Sequence, residues 1–239
     1  MAELALAASC LAPQANAGPP FLSDDPDPTP HQEFEVFTFA SANWGADGEE
    51  GAAGVDFNYG ATPDLQLTVT APIAFEKRDG SDFTSGLGNV ELAAKYRFLH
   101  QETSGWDVAF FPRVFLPSGS SLGEDHAALL LPVWAGRKWE DGSTFGGGGC
   151  AINRGGDSQD YCIAGWALTH RLAPGLQAGA EIFHETPDAK GGRHSTILGV
   201  GITYDINDTL HLLGYAGAQL QNARANGDGA GYASMLFTF

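Results

Sequence analysis

The chain has no long hydrophobic run. Apolar residues make up 43% of its 239 residues, yet no uninterrupted apolar stretch approaches the roughly twenty residues of a membrane-spanning helix. A transmembrane helix is therefore excluded. Insertion by strands is not excluded, because an alternating strand places apolar residues only at every second position. The composition does not change midway along the chain, which indicates one domain.

Basic residues are scarce as well. Twelve Lys and Arg residues stand against 29 Asp and Glu residues, so the formal net charge is -17. Nucleic acids and anionic lipid headgroups are bound by positive charge, which excludes nucleic acid as a partner and a basic anchor on a lipid surface. In a channel, an acidic wall favours cations.

Cysteine is rare, with three residues in all. Cys10 lies in the expected leader, which leaves Cys150 and Cys162 at the two ends of one short loop. In an oxidising compartment these two could form a disulfide across a hairpin, and two free thiols are the alternative that stays open.

Catalytic and ligand-binding motifs are missing too. The sequence has no G-x-S-x-G elbow, and the candidate hydrolase residues His170, His184, His194 and Ser195 show no diagnostic spacing. It also has no C-x-x-C, H-E-x-x-H or EF-hand pattern, and no helical pattern follows its glycine-rich stretches. We therefore expect no enzyme, no metal and no cofactor.

The clearest positive signal lies between Gly86 and Leu99. The even positions from 90 to 98 are apolar, whereas Glu91, Lys95 and Arg97 lie at odd positions between them. Successive side chains of a strand point to opposite faces, so this strand has one apolar face and one charged face. Its length, its aromatic residues and its ionic face are typical of a membrane barrel wall with a polar interior.

Similar alternation recurs along the chain and predicts an all-β fold, an up-and-down antiparallel transmembrane β-barrel of about 12 strands within residues 32–239. The predicted strands lie at residues 32–41, 52–61, 65–75, 87–99, 105–117, 127–139, 143–152, 161–172, 176–186, 195–206, 209–221 and 230–239. The runs Leu129–Leu131 and Gly146–Gly149 break the alternation, and we expect small interior positions or close backbone approach there.

The predicted connections alternate in length. Short ones lie at residues 61–64, 100–104, 140–142, 173–175 and 207–208, and longer ones at 42–51, 76–85, 118–126, 153–160, 187–194 and 222–229. Outer-membrane barrels have short periplasmic turns and longer outer loops, and an even strand number places both termini at the periplasmic end.

Both ends of the chain carry signals. Residues 1–17 end in a small-x-small cleavage pattern and predict a signal peptide, truncated because the basic start is missing. The acidic, proline-containing segment 18–31 is not a wall strand, and a periplasmic tether and a short plug in the barrel mouth both remain open for it. The final residues 237–239 end on an aromatic side chain, as outer-membrane barrels do.

Ionic side chains on the wall are expected to point inward, because a Lys or Arg facing lipid near the midplane costs roughly 2–4 kcal/mol. They line a solute path in one interpretation, and in the other they pair with one another and fill a narrow lumen. The predicted lumen-lining residues are Asp56, Glu91, Lys95, Arg97, Asp107, Arg113, Glu181, Glu185 and Asp205.

Several blocks of the sequence resemble a known family. They lie at residues 18–26, 86–98, 111–119, 179–186 and 211–223. The family consists of outer-membrane transporters and is named for its association with the MetA pathway of phenol degradation. The resemblance implies an outer-membrane β-barrel transporter, and the family name leaves its solute undefined.

The sequence thus predicts a transporter or channel in the bacterial outer membrane that passes small solutes, with hydrophobic and aromatic solutes among the candidates. The alternatives are a closed structural or surface-binding barrel and a soluble β-sandwich whose apolar face is covered by protein. The expected partners are outer-membrane lipid, an unidentified small-molecule solute and the barrel-assembly machinery.

Overall fold

The computed structural model describes residues 20–45, 48–120, 122–223 and 228–239. The expected signal peptide and Cys10 lie outside these residues. The strands are β1 (Phe34–Gly45), β2 (Gly48–Thr62), β3 (Leu65–Arg78), β4 (Thr84–Leu87), β5 (Val90–Leu99), β6 (Asp107–Phe110), β7 (Arg113–Leu116), β8 (Ala128–Trp139), β9 (Gly142–Ile152), β10 (Tyr161–Ala173), β11 (Leu176–Glu185), β12 (Ser195–Asp205), β13 (Leu210–Gln219) and β14 (Gly229–Thr238). A short helix, α1 (Gln101–Ser104), lies between β5 and β6.

These strands form one closed antiparallel barrel. β4 and β5 together make one wall strand, because β3 pairs with both, and β6 and β7 make another, because β8 pairs with both. Each of the remaining strands forms one wall strand by itself, which gives twelve wall strands. The barrel closes where β1 pairs with β14, and Phe34 and Phe239 exchange two N–H···O bonds of 3.0 Å there. The predicted all-β up-and-down barrel is confirmed.

The two faces of the wall follow the predicted alternation. Large apolar side chains such as Ile73 and Val200 are exposed on the outside, at 57% and 62% of their surface. Polar side chains of the same strands, such as Gln66 and Thr68, are buried inside. This is the pattern of a barrel whose outer surface meets lipid. The described part of the chain has no helix with the length and apolarity needed to cross a membrane.

The connections alternate in length with one exception. β1 and β2 extend to the directly paired residues Gly45 and Gly48, so the long loop predicted at residues 42–51 is wrong. Its small and polar residues continue the two strands as a hairpin instead. The other longer connections lie at the end of the barrel opposite the termini, and we call the end with the termini and short turns periplasmic.

The inner face of β8 is apolar, which explains why its sequence does not alternate. Leu130 points inward and is 3% exposed, whereas Leu131 points outward. Buried side chains of the inner face form an apolar cluster of Phe111, Leu130, Trp134, Ala151, Ile163 and Phe183. The neighbouring glycines of β9 allow close approach, since a β-carbon on Gly147 would lie 3.1 Å from the Trp134 backbone.

Candidate functional site

Residues 20–30 cross the barrel interior, and we call this segment the plug. Ser23 and Thr29 are almost fully buried, at 0% and 1% exposed. The ring of Phe21 lies 5.9 Å from that of Phe145 and 6.1 Å from that of Tyr215, both on the inner wall. The acidic, proline-containing segment therefore occupies the lumen and does not extend away from the barrel.

Lys95 of β5 joins the plug to the wall. Its ammonium lies 2.9 Å from Asp24 Oδ1 and 3.6 Å from Asp25 Oδ1, and it donates to the backbone oxygen of Asp27 at 3.2 Å. The Lys95 side chain is only 5% exposed. A buried ammonium requires opposite charge nearby, and here the plug provides all of these acceptors.

A second ionic contact lies nearer the periplasmic end. Asp27 accepts from Arg97 Nη1 at 3.3 Å and lies 2.9 Å from Lys138 Nζ. Arg97 also contacts Asp64 at 3.4 Å and Asp107 at 3.8 Å, so one guanidinium links the plug, a periplasmic turn and the wall. The predicted inward residues Lys95, Arg97 and Asp107 thus converge around the plug.

Glu181 holds the other end of the plug by backbone hydrogen bonds. Its carboxylate accepts the N–H of Leu22 at 3.1 Å and that of Ser23 at 2.5 Å, and the residue is 2% exposed. A buried carboxylate is costly unless hydrogen-bonded, and the two plug amides satisfy this requirement. Near the start of β1, the Thr29 hydroxyl donates to Glu35 at 2.8 Å, and the Thr29 backbone N–H donates to Gln66 Oε1 at 2.8 Å.

Glycines of the wall form the bed on which the plug lies. A β-carbon on Gly136 would lie 2.8 Å from Pro26 Cδ, and one on Gly201 would lie 2.7 Å from Phe21 Cε1. A β-carbon on Gly179 would lie 2.9 Å from Phe21 Cζ. Any larger residue at these positions would collide with the plug, which gives these wall glycines a role in housing it.

Above the plug, towards the outer end, Arg113 and Glu91 form a bidentate ion pair. Arg113 Nε and Nη2 donate to the two Glu91 oxygens at 2.7 and 2.8 Å. The guanidinium also lies 5.6 Å from the ring centroids of both Phe111 and Phe115. The bidentate geometry of the Arg113–Glu91 pair fixes the Arg113 side chain in one position. Asp56, another predicted lumen-lining residue, accepts a 3.0 Å hydrogen bond from Asn58 on the same strand.

The other predicted residues are more peripheral. Glu185 is half-buried near the outer end of β11, and Asp205 lies at the periplasmic rim, 2.7 Å from His211 Nδ1. Cys150 and Cys162 face each other on β9 and β10 and are joined by a disulfide. Ser195 Oγ donates to Gln219 at 3.1 Å, whereas the rings of His184 and His194 stack on each other.

The strand pattern of the sequence does not indicate the partners of the inward cations. Pairing among wall residues is one of its two predictions, whereas Lys95 and Arg97 bind carboxylates of the plug, and Lys138 and Glu35 are not among the predicted residues. The signal that indicates these partners is the run of acidic residues and prolines at 24–30, because its charge is opposite to that of the β5 cations.

A cavity of about 860 Å³ lies beside the plug. Its lining reaches Pro63 and Gly175 in periplasmic turns, and it also reaches Asn43 and Gly51 near the opposite end of β1 and β2. The cavity therefore extends along most of the barrel height and is bounded by the plug and by the inner face of the wall.

The closed twelve-stranded wall, its apolar outer surface and its charged interior define an outer-membrane β-barrel. The sequence profile of the family described as "Putative MetA-pathway of phenol degradation" matches residues 32–237. The chain belongs to this family. A comparison with curated proteins finds no significant match.

Solved structures share the fold. An outer membrane channel from Pseudomonas putida F1 superimposes with a TM-score of 0.69 and 15% identity, over 90% of this chain and 98% of that one. The NanC porin gives a TM-score of 0.60 at 9% identity, over 84% and 98%. The KdgM porin gives 0.57 at 10% identity, over 86% and 99%. The barrel architecture is therefore that of outer-membrane channels and porins.

Proposed function

We propose that this protein is an outer-membrane channel in which small solutes pass along the cavity beside the plug. The observation that carries this proposal is the cavity itself, because its lining includes residues at both ends of the barrel. A barrel built only as a structural scaffold has no need of a space of this size past its plug.

The charge of the lining favours cations. Seven carboxylates line the cavity together with five basic side chains. The acidic residues are Asp24, Asp25, Asp27, Glu35, Asp56, Glu91 and Asp205, and the basic residues are Lys95, Arg97, Lys138, Arg113 and Arg171. Carboxylates in excess along a narrow path attract cations and repel anions.

The lining also supports passage of hydrophobic or aromatic solutes. Phe37, Phe111 and Tyr232 line the cavity above the plug, and Phe145 and Tyr215 line it beside Phe21. Aromatic faces pack against aromatic solutes with favourable geometry. The family's association with phenol degradation is consistent with such solutes.

The direct test is the conductance of protein purified from outer membranes, recorded in planar bilayers under a KCl gradient. We expect stable single-channel steps and a reversal potential that shows cation preference. A sample that migrates as a folded, heat-modifiable barrel but gives no steps would contradict the proposal and favour a closed structural or surface-binding barrel. A preference for chloride would contradict the cation selectivity alone.

A further inference from the structure

We propose that small neutral aromatic solutes leave the lumen sideways, into the membrane, through the wall between β7 and β8. This inference rests on the proposed channel function and gives the same cavity a second exit. The exit is located at the seam, which we define as Phe111 and Pro112 of one wall strand and Pro132 of β8.

The backbone hydrogen bonding of the wall is incomplete at the seam. Ala94 N donates to Pro112 O at 3.2 Å, and Phe111 N donates to Pro132 O at 3.0 Å. In an antiparallel ladder such a residue pair exchanges two bonds, but neither proline has an N–H to return. One wall strand thus lacks a ladder bond on each side at the same height. In hydrocarbon no water replaces these bonds, so the wall is weakened there.

The strands around the seam are also poorly paired. β7 pairs with β8 only over Arg113–Phe115, and the connection to β8 follows directly. On the next wall strand, β4 and β5 are separated at Gly88 and Asn89, and the facing strand β3 carries Pro72. The ladder defects therefore affect neighbouring wall strands and form a patch.

A solute in the cavity reaches the seam at Phe111. The ring of Phe111 lines the cavity, 4.9 Å from Lys95 Nζ and 5.6 Å from Arg113 Cζ. Behind it lies the apolar cluster of the inner wall, and Leu131 and Val133 of β8 face outward beyond the seam. An ion would lose its hydration along this route without gaining a partner, so the exit selects neutral solutes.

The apolar cluster also offers one hydrogen-bond donor. Trp134 is 1% exposed, and its indole Nε1 has no hydrogen-bond partner among the described residues. Buried donors are normally paired, and the oxygen of a phenolic solute would pair this one. A neutral aromatic ring with one hydroxyl group, such as p-cresol, therefore fits the chemistry of the route.

The test closes the seam with a disulfide. Val114 of β7 and Leu129 of β8 face each other directly, so Val114→Cys with Leu129→Cys would join the two strands on oxidation. Leu212→Cys with Met235→Cys is the matched control, because these residues face each other between β13 and β14 on the opposite side of the barrel. Disulfide formation is verified by mass spectrometry.

The readout is uptake of radiolabelled p-cresol by porin-deficient cells that carry each variant, beside single-channel conductance of the same proteins. We expect the oxidised seam pair to slow uptake about tenfold, the effect of ~1.4 kcal/mol on the barrier, and to keep its ion conductance. Reductant should restore uptake. The control pair and the wild type should not respond to oxidation or reductant, which separates the effect from the native disulfide.

Unchanged uptake in the oxidised seam pair would overturn the lateral exit. If that pair fails to fold, Pro132→Ala provides the second test, because the restored N–H would donate to Phe111 O across the seam and should also slow p-cresol uptake. Normal ion conductance without seam-dependent uptake would refute the exit and leave the channel intact. Absence of conductance in the wild type would refute the channel function itself.

Discussion

The ammonium of Lys95 lies 2.9 Å from the carboxylate of Asp24, although 71 residues separate them in the sequence. This contact ties the plug to the barrel wall in the periplasmic half of the lumen. Because Lys95 is buried, the ion pair is poorly screened by solvent. The position of the plug therefore depends on charge as well as on shape.

Removing the Lys95 charge should release the plug. Lys95→Met leaves Asp24 and Asp25 without their shared cation, and breaking a buried pair in this way costs about 3 kcal/mol. We expect larger or more frequent conductance steps and a lower temperature of heat modification. Lys77→Met, at an exposed position of β3, removes the same charge and serves as the control. Wild-type conductance and stability in Lys95→Met would show that this ion pair does not hold the plug.

The glycine bed can be tested without changing any charge. Gly201→Ala places a β-carbon against the ring of Phe21, whereas Gly214→Ala meets only Ile202 Cγ2 at 3.4 Å, an ordinary contact distance. Single-channel recordings of Gly201→Ala should show a displaced plug as increased conductance, and those of Gly214→Ala should match the wild type. Equal conductance in both variants would contradict the role assigned to the bed.

Selectivity should depend on two buried carboxylates. Glu91 holds Arg113, and Glu181 holds the amides of Leu22 and Ser23. Glu91→Gln with Glu181→Gln removes two negative charges, so the reversal potential in a KCl gradient should shift away from cation preference. Glu140→Gln in an exposed turn is the control. Unchanged selectivity with lower thermal stability would mean that these groups only fill and brace the lumen.

An outer loop should respond to pH through His126. Its Nδ1 lies 2.8 Å from Asp125 Oδ1 and its Nε2 lies 2.8 Å from Asn153 Oδ1, and the hydrogen bond to Asp125 raises the pKa of His126 above its ordinary value. A raised pKa means that the contact stabilises the loop at low pH and that this contribution is lost as the pH rises through the folded-state pKa.

NMR titration of the His126 ring checks this effect. We expect the midpoint to lie above that of an unperturbed histidine, which is about 6.5, and Asp125→Asn to lower it. An Asp125→Asn midpoint equal to that of the wild type would contradict the assigned cause.

The disulfide should stabilise the outer loop more than the barrel. Cys150 and Cys162 are 12 residues apart and enclose the connection between β9 and β10. Both strands are paired along their length with their other neighbours, so Cys150→Ser with Cys162→Ser should still give a heat-modifiable barrel. Limited proteolysis within residues 153–160 should become faster. Loss of the folded barrel would show that the crosslink stabilises the wall itself.

The strand pattern of the sequence determined the barrel. Alternation along β3, β5 and β12 predicted which residues face lipid, and the inward positions of Glu91 and Lys95 agree with it. This information is local, because each side chain in a strand points opposite to its neighbours whatever the strand pairs with. The number of wall strands follows from the same repeated signal.

The tertiary structure alone decided what the inward groups contact. Closure of the wall brings Glu181 of β11 to the amides of Leu22 and Ser23, and it places Gly201 beneath Phe21. These contacts join residues far apart in the sequence, and no strand period records which parts of the chain meet across a lumen. Whether a segment rich in Asp and Pro extends away from the barrel or fills its lumen depends on how well its charge and shape complement the inner wall.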